Sequence, residues 1–121
     1  GYIYDYKTVS GSVNPDRLSR LIFNEGLDIQ AGFYIRGVKA VYGVNATFQF
    51  VFQEIHEPHA VCVMGLQPQA LLLAQSKCDY AVKKFGECMR TGIWESYPRR
   101  TCFVDMPSWQ ESAWLEKESR E

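Results

Sequence analysis

The stretch that decides the fold is Tyr2–Val9, Tyr-Ile-Tyr-Asp-Tyr-Lys-Thr-Val. Aromatic and β-branched residues dominate it, and the Ser-Gly-Ser that follows at 10–12 is a loop signal, so we predict a β-strand over this stretch. Successive side chains of a strand point to opposite faces, so Asp5 and Lys7 share one face while the tyrosines occupy the other. This acid-x-lysine pair on one strand face is the first candidate site.

Two helices are predicted after this strand. Asn14 suits an N-cap position before a proline at the first helical residue. The first helix therefore covers about Pro15–Asn24, and Gly26 just beyond it terminates it. Apolar residues then recur with the helical period over about Leu27–Tyr42. Gly43 suits the position just beyond the end of that second helix.

The rest of the chain predicts two strands and a long helix. Alternating phenylalanines at 48, 50 and 52 indicate one strand, and a second covers about 60–65 after a hairpin connection at 56–59. The longest helix covers about Pro68–Thr91. A short strand over 101–104 is compatible with the pattern, and Pro107-Ser108-Trp109 begins another helix. The order β-α-α-β-β-α-(β)-α indicates an α/β or α+β fold, with helices packed on a sheet.

The composition is that of an ordinary globular domain. With 121 residues, 46% hydrophobic and 22% charged, the chain is expected to form a single domain, 1–121, around one core. The net charge of −1 gives no general attraction to nucleic acid or to an anionic membrane, so any DNA contact must use a local basic surface. The apolar stretches are too short to span a membrane. The charged end, 116–121, is expected to be frayed.

The cysteines indicate the cellular compartment. Cys62, Cys78, Cys88 and Cys102 show no C-x-x-C spacing, and the N-terminus carries no signal-peptide pattern. Two disulfides remain an alternative for an extracellular domain. Scattered cysteines without a secretion signal favour reduced thiols that pack as small apolar residues. We therefore expect a reducing, cytoplasmic setting.

The acid-x-lysine pair has the groups that phosphodiester hydrolysis requires. That reaction uses a divalent metal to neutralise charge and to acidify a water, and magnesium prefers oxygen ligands. Asp5 supplies a carboxylate and the main-chain carbonyl of Tyr6 a second oxygen at the same edge. Lys7 is placed to orient the attacking water or to stabilise developing negative charge. The alternative is a solvent-facing ion pair of small energetic value.

A second element lies on the second predicted helix. Gln30 and Tyr34 are four residues apart, so both lie on one helical face, where an amide and a phenol can hold a phosphate or a base edge. The alternative is a core aromatic with a glutamine at its rim. A strand with D-x-K, then a short helix, then a helix with Q-x-x-x-Y is more specific than either motif alone.

Several other residues are weaker candidates. His56 and His59 have the spacing of a metal pair, but the intervening proline and the hairpin setting argue against it. Glu54 could reach the site from its strand or lie at a solvated edge. Four basic residues follow the first strand and are candidates for a DNA channel, although each also suits a solvated helix face: Arg17, Arg20, Arg36 and Lys39.

On these residues the chain resembles the C-terminal part of a PD-(D/E)xK nuclease of the exodeoxyribonuclease VIII (RecE-like) type. Such enzymes are phage and prophage recombination exonucleases, distantly similar to lambda exonuclease. The resemblance rests on Tyr-Asp-Tyr-Lys-Thr, Leu-Asp-Ile-Gln-Ala-Gly-Phe-Tyr and Phe-Val-Phe-Gln-Glu. It extends through the long helix to Trp94, Tyr97 and Pro98, and so covers most of the chain.

The resemblance implies a fold, a site and an activity. The fold is a partial restriction-endonuclease-like core with a mixed sheet flanked by helices. Asp5 corresponds to the metal-binding acid and Lys7 to the catalytic lysine, with Gln30 and Tyr34 beside the active site. The implied activity is hydrolysis of linear double-stranded DNA from its ends with Mg²⁺ or Mn²⁺. The implied partners are a single-strand annealing recombinase and further copies in a ring-like homo-oligomer.

Two family elements are missing from the chain. The family carries a further aspartate on a neighbouring strand before the D-x-K strand and an acidic or histidine element on a helix further upstream, and only four residues precede Asp5 here. We therefore expect the C-terminal portion of a nuclease domain, which binds metal weakly and cuts poorly unless an upstream segment or another chain completes it. The alternative is a non-catalytic remnant, or a small α/β module that binds DNA or protein.

Overall fold

The computed structural model describes residues 1–121 and contains three strands and four helices. In chain order they are β1 Tyr2–Val9, α1 Pro15–Asn24, α2 Leu27–Tyr42, β2 Thr47–Glu54, β3 Val61–Gly65, α3 Pro68–Thr91 and α4 Ser108–Ser119. Asn14 caps α1 by accepting a hydrogen bond from the Asp16 N–H at 2.9 Å. Gly43 and Gly92, both at positive φ, follow the last residues of α2 and α3. The bounds of β1 and of the first three helices agree with the prediction.

The three strands form one mixed sheet in the order β1-β2-β3. β1 runs parallel to β2, with Asp5 opposite Phe50 and Lys7 opposite Phe52. β2 and β3 pair antiparallel, which confirms the hairpin predicted between them. A mixed sheet with helices confirms the α/β class. β1 is an edge strand, because it has a neighbour on one side only.

The core lies on one face of the sheet. Phe50 and Phe52 are fully buried there, with Phe48 beside them, because every second side chain of β2 points to this face. Leu18 and Ile22 of α1, one helical turn apart, complete the cluster. Removing such a buried phenylalanine typically costs about 3–5 kcal/mol, so this cluster holds the strands and α1 together.

Helix α3 packs against α2 at close range. Gly32 of α2 makes the approach possible, since a methyl group there would lie 3.3 Å from Ala74 Cβ and 3.4 Å from Cys78 Sγ. Gln75 Nε2 donates to the Gly32 carbonyl at 3.0 Å, and Arg36 Nη2 lies 2.8 Å from Asp79 Oδ1. These contacts fix α2, and with it the predicted Q-x-x-x-Y element.

The chain divides into two compact units, Gly1–Thr91 and Gly92–Glu121. The second unit begins irregularly and then forms α4, which is helical up to Ser119. The short strand considered over 101–104 is wrong: these residues are irregular, and Phe103 and Val104 are about nine-tenths exposed. A strand needs a neighbour to satisfy its main-chain groups, and the second unit offers none. No helix has both the length and the apolar character needed to cross a membrane.

Candidate functional site

Asp5 and Lys7 form an ion pair on the inner face of β1. Their side chains are 19% and 25% exposed, and Lys7 Nζ lies 2.9 Å from Asp5 Oδ2. That carboxylate oxygen is buried, and the Lys7 ammonium is its partner. The alternation of the strand brings the pair together, as predicted. The pair is partly enclosed rather than freely solvated.

The main-chain ladder leaves the Tyr6 carbonyl at the free edge of the sheet. At the two ends of β1, the Thr47 N–H donates to the Gly1 carbonyl at 2.9 Å and the Ile55 N–H to the Val9 carbonyl at 3.0 Å. Main-chain groups change side from one residue to the next, so the odd-numbered carbonyls of β1 face β2 and the Tyr6 carbonyl faces away from it. The second predicted metal oxygen is therefore not used by the sheet.

Gln30 and Tyr34 lie together on α2, on the inner side of the sheet. Gln30 Nε2 donates to Tyr34 Oη at 3.2 Å. The Tyr34 ring lies 6.2 Å from the ring of Phe48, and Tyr34 shares an apolar groove with Ile3. Ile3 precedes Asp5 by two residues on the same strand face, so the two predicted motifs occupy the same side of β1. Tyr34 is 45% exposed, which makes it neither a buried core aromatic nor a fully solvated one.

The groove beside Tyr34 is apolar and open. Ile3 of β1 forms one side, and α2 supplies the remainder through Gly37, Val38, Val41 and Tyr42. Its free volume is about 350 Å³, enough for a nucleobase or a sugar ring. This groove was not predicted, because it depends on α2 lying against β1.

The four basic candidates differ in their surroundings. Arg17 Nη1 donates to the Ser12 carbonyl at 2.7 Å, which holds the loop between β1 and α1. Arg36 is engaged by α3 through its ion pair with Asp79 and hydrogen bonds to Gln75. Arg20 and Lys39 are exposed on α1 and α2. The last two therefore remain the better candidates for a phosphate contact.

A buried ion pair joins α2 to α3 close to this site. Asp28 is 1% exposed, two residues before Gln30, and its Oδ2 lies 2.6 Å from Lys77 Nζ. Its Oδ1 is buried without a hydrogen-bond partner. The sequence showed an aspartate in the first turn of a helix, which is an ordinary position, but nothing that linked it to Lys77. Nearby, burial raises the pKa of the Cys78 thiol, and the charges of Asp79 and Asp28 raise it further against the effect of Arg36.

The remaining candidates have structural contacts. Glu54 Oε2 accepts a long hydrogen bond, 3.5 Å, from the Val13 N–H in the loop after β1. His59 Nδ1 lies 3.2 Å from the Glu54 carbonyl, within the β2–β3 connection that also contains His56. No group of three or more histidine, cysteine, aspartate or glutamate side chains in residues 1–121 is arranged to hold a metal. All four cysteines are free thiols.

Comparison with known proteins does not assign the chain to a family. No protein-family model matches it, and no curated protein matches it either. The function is therefore argued from the arrangement of Asp5, Lys7, Gln30 and Tyr34 about β1 and α2.

Proposed function

We propose that this protein is a metal-dependent DNA exonuclease domain of the PD-(D/E)xK kind, acting on linear double-stranded DNA in phage-type homologous recombination. The observation that supports it best is the shared location of two motifs. The Asp5–Lys7 pair lies on the inner face of an edge strand, and the Gln30–Tyr34 pair lies on the helix that faces the same side. A cytoplasmic location of such a nuclease is compatible with four free thiols.

The residues at this edge fit a magnesium or manganese ion. Asp5 offers a carboxylate, one oxygen of which lies 2.9 Å from Lys7 Nζ, and the Tyr6 carbonyl faces the open edge. Magnesium is commonly held by one or two carboxylates, with waters and substrate phosphates completing its shell. When bound, such an ion neutralises phosphate charge and acidifies a water.

The chain's own side chains have separate roles in this proposal. Lys7 gives a cation beside Asp5 that holds the scissile phosphate and opposes the negative charge developing on it. Gln30 and Tyr34, already joined by a hydrogen bond, bind a neighbouring phosphate or base edge through one amide and one phenol. Arg20 and Lys39 add exposed positive charge for the DNA backbone.

One carboxylate is a weak metal site, and this limits the expected rate. We propose that full activity requires a second acidic group from an upstream segment or from another chain. The resemblance further suggests a homo-oligomer and a single-strand annealing recombinase as partner.

A second candidate is a non-catalytic module that binds DNA or protein. The Asp5–Lys7 ion pair favours it, because each charge already has the other as its partner. In that case the chain would bind duplex DNA and leave it intact.

The test compares two DNA substrates and two variants in which an aspartate is replaced by asparagine. Linear duplex DNA and covalently closed circular DNA are incubated with the protein in magnesium and, separately, in EDTA. We expect the linear DNA to be digested in magnesium but not in EDTA, and the closed circular DNA to stay intact in both. Asp5→Asn should abolish this loss, whereas Asp16→Asn, at an exposed aspartate of α1, should retain it. Equal digestion by both variants, or equal loss of closed circles, would contradict an exonuclease centred on Asp5. Binding of linear DNA without digestion would favour the second candidate.

A further inference from the structure

Three charged side chains lie on the inner face of the sheet. Asp5 and Lys7 belong to β1, and Glu54 of β2 continues the row of buried phenylalanines of that strand on the same face. β3 contributes only a cysteine and a methionine to this face, opposite two of the phenylalanines. Lys7 therefore has two acidic neighbours on one face, and the proposed nuclease site uses only the first of them.

The parallel register of β1 and β2 places Glu54 diagonally across from Lys7. Lys7 lies opposite Phe52 and Val9 lies opposite Glu54, and opposed residues of paired strands share a face. With strands about 4.8 Å apart and a rise of about 3.3 Å per residue, the Cα atoms of Lys7 and Glu54 are roughly 8 Å apart. Diagonal neighbours at this separation are within reach of long side chains. The Lys7 ammonium can therefore reach Glu54 across the strand pair as well as Asp5 along its own strand.

The two carboxylates differ in how firmly they are held. Lys7 Nζ lies 2.9 Å from Asp5 Oδ2, whereas Glu54 Oε2 accepts a long hydrogen bond, 3.5 Å, from the Val13 N–H. Both carboxylates are partly buried. A partly buried charge is stabilised by a counter-charge, so Glu54 is suited to be a second partner for the ammonium.

The balance between the two partners changes when Asp5 binds a divalent ion. The Lys7 ammonium then shares one carboxylate with that ion, and like charges at such a short separation repel one another. Glu54 becomes the more favourable partner for the ammonium. Lys7 can make this exchange without leaving the inner face of the sheet.

We propose that Glu54 is a positioning residue, which takes over the Lys7 ammonium when Asp5 binds a divalent metal ion. This inference rests on the proposed nuclease function, in which Asp5 binds the metal and Lys7 opposes the charge on the phosphate. Glu54 keeps the ammonium off the Asp5 carboxylate and holds it on the same face of the sheet, available to a phosphate. Glu54 acts through Lys7 and touches neither metal nor DNA.

The first test measures Mn²⁺ binding in the absence of DNA. Mn²⁺ is titrated into the isotope-labelled whole chain, and the paramagnetic broadening of the β1 amide signals gives its affinity for Asp5. Glu54→Gln should weaken binding by up to about fivefold, the effect of removing one partly exposed ion pair. Glu57→Gln, at an exposed glutamate of the β2–β3 connection, should bind like the wild type. Lys7→Met should bind more tightly, and adding Glu54→Gln to it should change the affinity little.

The comparison of the two backgrounds decides whether Glu54 acts through Lys7. If Glu54 only supports the loop at Val13, Glu54→Gln should weaken Mn²⁺ binding equally in the wild type and in Lys7→Met. Equal weakening, or an unchanged affinity in Glu54→Gln, would overturn the proposal. The same spectra show whether each variant is folded.

The second test needs no metal, so it separates this proposal from the nuclease function. In Asp5→Asn, Lys7 has lost its charged partner on β1, so the losses in unfolding free energy caused by Lys7→Met and Glu54→Gln should be non-additive in urea denaturation. In the wild type, where Lys7 is paired with Asp5, the two losses should add. Additive losses in both backgrounds would overturn the contact between Lys7 and Glu54. Absence of Mn²⁺ binding by the wild type would instead overturn the nuclease function, and with it the exchange that depends on the metal.

Discussion

Gly32 and Gly37 are two glycines of one helix that should respond in opposite ways to the same change. At Gly32, a methyl group would lie 3.3 Å from Ala74 Cβ and 3.4 Å from both the Ala74 carbonyl carbon and Cys78 Sγ. At Gly37, a methyl group would meet no atom within 4 Å. The two alanine substitutions therefore share a gain in helix propensity and differ in packing.

The magnitudes follow from that difference. Replacing a glycine in a helix interior with alanine is favourable by about 1 kcal/mol, so Gly37→Ala should raise the free energy of unfolding by about that amount. Gly32→Ala gains the same amount but forces α2 and α3 apart. Overpacking of this kind costs about 1–3 kcal/mol, so the net effect at Gly32 should lie between zero and about −2 kcal/mol. We expect Gly37→Ala to be the more stable variant by about 1–3 kcal/mol.

Urea denaturation followed by far-ultraviolet circular dichroism measures both values on the same scale. A gap of this size corresponds to a difference in melting temperature of several degrees for a unit of about this length. Equal stability of the two variants, or a more stable Gly32→Ala, would refute the close α2–α3 contact. That contact matters because it fixes the helix that carries Gln30 and Tyr34.

Three further predictions concern the α2–α3 interface and the thiols. Lys77→Met should destabilise the fold by about 2 kcal/mol, because it leaves the buried Asp28 carboxylate without its cation, and adding Asp28→Asn should recover most of that loss. If urea denaturation shows that the losses in unfolding free energy of the two single variants simply add in the double variant, this coupling is contradicted. The pKa of Cys78 is raised above its ordinary value of 9.0, so as pH rises the unfolded chain loses this proton before the folded chain does, and the thiol's contribution to stability is complete below pH 9.0 and declines above it. The free energy of unfolding should therefore fall more steeply above pH 9.0 in the wild type than in Cys78→Ala, and parallel curves for the two proteins would contradict this prediction. Cys102 is exposed while Cys78 and Cys88 are buried, so Ellman's reagent should react first at Cys102, and an unchanged fast phase in Cys102→Ser would contradict that order.

The elements were predictable where local signals were strong. Asn14 before a proline and glycines beyond the helix ends are chemical markers of the termini, and they placed α1, α2 and α3. The segment 101–104 lacked such a marker. Its β-branched and aromatic residues suited a strand. A strand also needs a neighbouring strand, and four residues of sequence do not show whether one is present.

The site was predictable in pairs and not as a whole. Alternation along β1 placed Asp5 with Lys7, and helical spacing placed Gln30 with Tyr34. The two pairs lie on the same face of the sheet because α2 crosses that face, and no local sequence pattern reveals this crossing. The pairing of Asp28 with Lys77 and the capture of Arg36 by α3 were missed for the same reason, because each joins residues about forty or more positions apart.

The central claim is that Asp5 and Lys7 form a nuclease centre, and the rate of nucleotide release from linear duplex DNA in magnesium tests it most directly. The wild type, Lys7→Ala and Lys83→Ala are measured in parallel, with Lys83 as an exposed lysine of α3. We expect slow release by the wild type, an unchanged rate for Lys83→Ala, and a loss of roughly a hundredfold for Lys7→Ala, the size typical of removing one charge-stabilising group. No release by the wild type, or equal release by the wild type and Lys7→Ala, would contradict the claim.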